Sequence, residues 1–276
     1  MNKNRINTIL DYNNILVDIY NDEDLKCLSD NNSIHFEQNI RSTEDQFNDL
    51  RQFLLNEYKI EGSKYYAPNY LGYFFFDAKS EIITVSSEIK YRIGTVLLYY
   101  PYLERVNEYL DHDLYSRRFH FELPIAYEAL YKFWQRLSDY LLAYFPDAQF
   151  DNKGKKIKRT YFHKPLDYIE NNYPHLTTSI NYQWIKDFWK NDYNQLNDHR
   201  KKFVHKSGYV VSFYDSFRKA KAEEEKNKLN LERPEHVNFL LAQSSRTIVG
   251  YLKFMNFLSE LVILKNKHSK FEYSFK

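Results

Sequence analysis

The sequence has a single cysteine, Cys27. That excludes an internal disulfide and leaves no second thiolate for a paired-cysteine zinc site. A chain so poor in thiols fits a reducing compartment. No run approaches the ~18 uninterrupted apolar residues of a spanning helix. The opening Met1-Asn2-Lys3-Asn4-Arg5 leads into polar sequence rather than the apolar core of a secretory leader. These absences predict a cytoplasmic chain with no membrane partner. Glycine is also scarce, 6 residues, beside 7 prolines. No Gly-rich phosphate loop is present, and Gly154 in its basic setting is not one. No Gly/Ser- or Pro-rich linker marks a domain boundary. Neither sign of charge dominates: 39 Lys and Arg face 37 Asp and Glu, a net +2. A protein that coats nucleic acid is usually more basic, so any such contact has to be local.

What the chain does have is apolar and aromatic matter. Hydrophobic residues make up 43%, enough for a sizeable core, and 26 Tyr and 21 Phe are present. Such rings can form stacking platforms for bases. Most fall instead on stripes of helical period, which points to a compositional bias spent on the core.

Helical spacing recurs along the chain. Ile9, Tyr12, Leu16 and Ile19 form a first stripe. Ser42-Thr43-Glu44-Asp45 offers N-cap residues ahead of Phe47, Leu50, Leu54 and Tyr58. Tyr73–Phe76 and Ile82–Val85, around a polar Asp77–Ser80, suggest a small β-hairpin near 70–85. Ile89, Ile93, Val96, Tyr100 and Leu103 follow, with Pro101 expected to kink or break their helix. Ala126, Leu130, Phe133, Leu137, Tyr140 and Tyr144 mark the next helix. Another is expected from about 181 to 206, with Ile185, Trp189, Leu196 and Phe203 on one face and Gly208 as C-cap. Beyond a charged connector, Arg218 to Arg233, the last stripe runs Val237, Leu241, Ser244, Ile248, Tyr251, Met255, Leu258 and Val262. Long helices can bury such stripes only against one another. The expected fold is all-α: an antiparallel helical bundle over 86–276, with residues 1–85 a mainly helical N-terminal extension packed on it.

One segment carries a functional lead: Asp198-His199-Arg200-Lys201-Lys202-Phe203-Val204-His205-Lys206-Ser207-Gly208. Arg200 and His205 are separated by four residues, and an apolar pair directly precedes the histidine. This resembles the R-x(4–6)-H signature of the HEPN superfamily, small helical-bundle ribonucleases and nucleotide-binding proteins of prokaryotic toxin and defence systems. The motif also lies between two long C-terminal helices, where that family places it. Lys201 departs from the short polar residue that many members carry there. A second match, Arg105 to His112, has Leu-Asp before its histidine and sits earlier than the family's arrangement. The resemblance implies a metal-independent endoribonuclease with no cofactor. It implies Arg200 and His205 as catalytic residues and a 2′,3′-cyclic phosphate product. It also implies a homodimer, and an antitoxin or regulatory partner.

The chemistry suits these side chains. RNA supplies its own nucleophile, the 2′-hydroxyl. Histidine titrates near neutrality and can move the protons. Arginine stays charged and offers a fork of donors to phosphate oxygens. Positions five apart on a helix point about 140° from each other. Convergence therefore needs a loosened helix end or two chains, and a symmetric dimer supplies the second. Lys201, Lys202, Lys206 and His199 are the candidate RNA-binding residues, and His199 is also placed to assist catalysis. The basic run Lys153–Arg159 is read as a solvated loop or a phosphate contact. None of the 9 histidines shows zinc spacing, so no metal is expected. Two other readings compete with the nuclease: a non-catalytic HEPN-like module that binds RNA, a nucleotide or a partner protein, and a helical interaction protein without nucleic acid.

Overall fold

The computed structural model describes residues 3–23, 25, 68–105, 114–145, 148, 161–205 and 223–267. Within them every regular element is helical: α1 Lys3–Asp22, α2 Pro68–Tyr99, α3 Leu114–Tyr144, α4 His163–Asn172, α5 Ile180–Phe188, α6 Asn194–His205 and α7 Glu223–Lys267. Short 3-10 turns cover Tyr100–Arg105 and Pro174–Thr178, and a π turn, Trp189–Tyr193, joins α5 to α6. The all-α expectation holds. The stripe of residues 47–58, its N-cap residues and the basic run 153–159 lie outside the described residues.

The expected hairpin near 70–85 is corrected: this stretch is the first half of α2. Pro68 occupies its first position, where a missing N–H costs nothing. Tyr73–Phe76 is a contiguous run without the period-2 alternation of a strand, and Asp77-Ala78-Lys79-Ser80-Glu81 holds no glycine to turn on. Pro101 acts as expected, since α2 ends at Tyr99 and a 3-10 turn takes over. The connector to Arg233 is shorter than expected, because α7 already begins at Glu223. Glu, Lys and Leu there are strong helix formers, and Glu224 and Lys228 have the favourable i,i+4 order. Pro124 and Pro234 lie inside α3 and α7 without ending them.

The chain divides into two compact units, the first Met1–Phe36, Val85–Tyr131 and Gln195–Thr247, the second Glu37–Thr84, Lys132–Asn194 and Ile248–Lys276. In the first, Leu16, Ile89, Ile93, Val96 and Leu123 are buried. Tyr20 of α1 lies against Gly94 of α2, and the Lys90 ammonium sits 4.9 Å over its ring. Arg92 of α2 donates to Glu122 of α3 at 2.8 Å. In the second unit the core is aromatic. Trp134 packs on Phe188 with ring centres 3.9 Å apart, and Phe162 and Phe254 complete the contact. Ser179 caps α5 by accepting from the backbone N–H groups of Asn181 and Tyr182. Its hydroxyl also bonds Glu260 of α7, which accepts a second hydrogen bond from Asn181 at 2.6 Å.

Candidate functional site

The Arg/His segment lies on α6, whose regular α geometry runs from Asn194 to His205. Leu196 and Phe203 are buried, as their spacing predicts, and anchor the helix. Arg200 and His205 are therefore both set on one unbroken stretch of helix, and the π turn that breaks the register lies before them. His205 is its last residue. The side chain of His205, and all of Lys206 and Gly208, lie outside the described residues.

Arg200 is held from two sides by α3. Its Nε donates to Glu128 Oε2 at 2.5 Å, and the guanidinium carbon sits 4.0 Å over the Tyr131 ring. Its side chain keeps 22% of its exposure. No contact occupies Nη1 or Nη2 among the described residues, so the outer fork of the guanidinium is available to an anion. Lys201 is exposed and pairs with Asp198 at 3.5 Å; Lys202 is exposed. Neither pairing nor exposure fixes these lysines, and both can reach a passing phosphate.

His199 does not share their setting. Its ring stacks on Tyr127 at 5.3 Å and meets His236 and Phe239 at 5.3 and 4.8 Å. Its Nδ1 is buried with no hydrogen-bond partner among the described residues. Burial lowers its pKa, aided by Lys202, against the pull of Asp198 and Glu235. His236 shares a 2.8 Å hydrogen bond through Nδ1 with the Tyr127 hydroxyl. Burial brings its pKa down to about 4, with His199 and Lys202 adding to the effect. His120, also buried, is brought to about 3 by burial, then Arg233 and His236. Three imidazoles of the first unit are thus neutral at pH 7. Among the described residues no group of three or more His, Cys, Asp or Glu side chains is placed to hold a metal ion.

Arg200, Lys201, Lys202, His199, Glu128, Tyr131, Tyr127 and His236 all belong to the first unit. Glu128 and Tyr131 carry no signal in the sequence, being two polar positions on a long helix about seventy residues upstream. Their i,i+3 spacing next to the α3 stripe is the sole trace of a shared face. His236 follows the buried Arg233 and precedes the last stripe, so it reads as a boundary residue. The Arg105 of the second match ends the 3-10 turn, and His112 lies outside the described residues. Comparison with known protein families, with curated proteins and with solved structures finds no match to this chain.

Proposed function

We propose that this chain is a metal-independent endoribonuclease of the HEPN type, acting in a toxin or antiviral defence system, with its site composed across a homodimer. The observation that carries this reading is the mounting of Arg200. A carboxylate holds its inner nitrogen and a phenol ring supports its plane, which leaves the outer fork without a hydrogen-bond partner among the described residues. A phosphate oxygen pair fits that fork. In the reaction the 2′-oxygen forms a bond to phosphorus while the bond from phosphorus to the 5′-oxygen breaks. The 2′-proton passes to a base, an acid protonates the leaving 5′-oxygen, and a 2′,3′-cyclic phosphate remains. His205 serves in proton transfer and Arg200 bears the charge of the phosphorane. Lys201, Lys202 and Lys206 hold flanking phosphates.

The test is cleavage of single-stranded RNA by purified protein in EDTA. Activity should survive chelation, yield cyclic-phosphate ends and fall at least ~100-fold in His205→Ala and Arg200→Ala. Equal activity in wild type and His205→Ala would remove the proposal. The Glu128 contact also favours a second reading, a non-catalytic module that binds RNA, a nucleotide or a partner protein, because a carboxylate beside a guanidinium offsets part of its charge. Its signature is RNA bound but never cut.

A further inference from the structure

Two helices of the first unit each carry an apolar stripe that the fold leaves uncovered. On α1, Leu16 is buried, Tyr20 lies against Gly94 and Tyr12 meets Tyr91 and Thr95 of α2. The side of α1 away from these contacts presents Leu10 and Val17, 53% and 52% exposed. On α3, Leu114 and Phe121 are 61% and 55% exposed. Both pairs are spaced seven residues, two helical turns or about 10.5 Å. The two stripes therefore match in length.

The charges beside the stripes are opposite in sign. Asp11 and Asp18 directly follow Leu10 and Val17 and are exposed. Residues 10–23 hold four acids, Asp11, Asp18, Asp22 and Glu23, and no Lys or Arg. On α3, Arg117 and Arg118 lie between Leu114 and Phe121, and both are exposed. The next carboxylate along α3, Glu122, is buried and held by Arg92 at 2.8 Å. Asp11, Asp18 and Arg118 form no ion pair among the described residues. Neither set of charges serves its own helix. A helix start favours acids and a helix end favours bases. Yet α3 has Arg117 and no acid in its first turn, while α1 ends on Asp22 with no base in its last. The helix dipoles thus add to both charges, making the start of α3 more positive and the end of α1 more negative.

The α3 stripe also leads to the Arg200 site. Glu128 follows Phe121 by seven residues and so stands on the same side of α3, two turns on. Its carboxylate holds Arg200. A body seated on Leu114 and Phe121 borders that guanidinium.

We propose that this body is a second copy of the chain. The Leu10–Val17 stripe of each subunit packs on the Leu114–Phe121 stripe of the other, with Asp11 and Asp18 facing Arg117 and Arg118. The contact is isologous and forms twice about a two-fold axis. The apolar stripes drive association, and the exposed charges select the partner and its register more than they strengthen it. This inference rests on the homodimer of the proposed function and names its interface.

The experiment is sedimentation equilibrium of the full chain over a range of concentrations. Wild type should dimerise. Arg117→Glu with Arg118→Glu makes both faces acidic, and Asp11→Lys with Asp18→Lys makes both basic. Each double variant alone should dimerise at least ~tenfold more weakly than wild type. An equimolar mixture of the two should pair again, because every face then meets its opposite. All four positions are exposed, so circular dichroism spectra and thermal midpoints should stay close to those of wild type. Phe121→Ser, which changes no charge, should also weaken the dimer. A monomeric wild type, double variants that dimerise as well as wild type, or a mixture that stays monomeric would each overturn the interface. Cleavage of RNA in EDTA is read in parallel. A dimer that cuts RNA and ignores the charge reversals removes this interface and leaves the nuclease; pairing restored by mixing, with no cleavage by wild type, keeps the interface and removes the nuclease.

Discussion

Arg200 and Glu128 form an ion pair in partial exposure, with side chains 22% and 32% accessible. Pairs in such a setting contribute little to stability, under ~1 kcal/mol after solvent screening. Orientation is a different matter if Arg200 serves the proposed reaction, since a displaced guanidinium would not meet a phosphorane. Glu128→Gln is therefore expected to leave the urea midpoint nearly unchanged and to lower RNA cleavage by about tenfold. A large fall in stability with unchanged turnover per folded molecule would mark the pair as structural. The arginine and histidine were legible in the sequence because their spacing is a local pattern. Glu128 and Tyr131 were not, because their meeting with Arg200 depends on how α3 and α6 face each other.

Two of the helix contacts form at a glycine. Gly250 of α7 lies under the indole of Trp134, and a Cβ there would fall inside the ring's van der Waals surface. Alanine is the better helix former by ~1 kcal/mol, yet overpacking a buried, unyielding ring costs ~1–3 kcal/mol or more. Gly250→Ala should therefore destabilise, which thermal unfolding will show. Gly94 is similarly close to Tyr20, but that ring is half-buried at the edge of α1 and can swing aside. Gly94→Ala should be much milder. The π turn shows how element-level reading can slip: the spacing put Trp189 on the buried face, whereas Phe188 and Tyr193 are buried and Trp189 is half-buried. A π turn adds a residue to one turn and shifts the register. The shift is felt at Trp189, while Leu196 and Phe203 beyond the turn stay on the buried face that their spacing predicts.

For the whole chain, acid stability follows from the buried imidazoles. His236 in the folded protein takes a proton only near pH 4, against about 6.5 unfolded. Below about 6.5 the unfolded state binds the proton more tightly, so stability is complete above that value and declines toward pH 4. The decline for His236 alone is on the order of 3 kcal/mol, and His120 adds to it. Urea midpoints should fall between neutral and mildly acid pH, and His236→Gln should flatten part of that slope; a pH-independent midpoint would refute it. Assembly is tested at the same scale. If each site takes Arg200 from one chain and His205 from its partner, Arg200→Ala and His205→Ala proteins, each inactive, should regain activity when mixed. Inactive mixtures from subunits that do exchange would place both residues of a site in one chain.

Amphipathic period is a local property of the chain, so the helical class and many of the buried positions could be read from the sequence, though not the half-buried setting of Trp189. The sequence also supplied the Arg200–His205 spacing. Only the tertiary fold shows that Glu128 and Tyr131 hold Arg200, and that His199 and His236 pack around Tyr127. Those outcomes rest on contacts between residues far apart in the chain, and no local pattern encodes which distant side chain arrives.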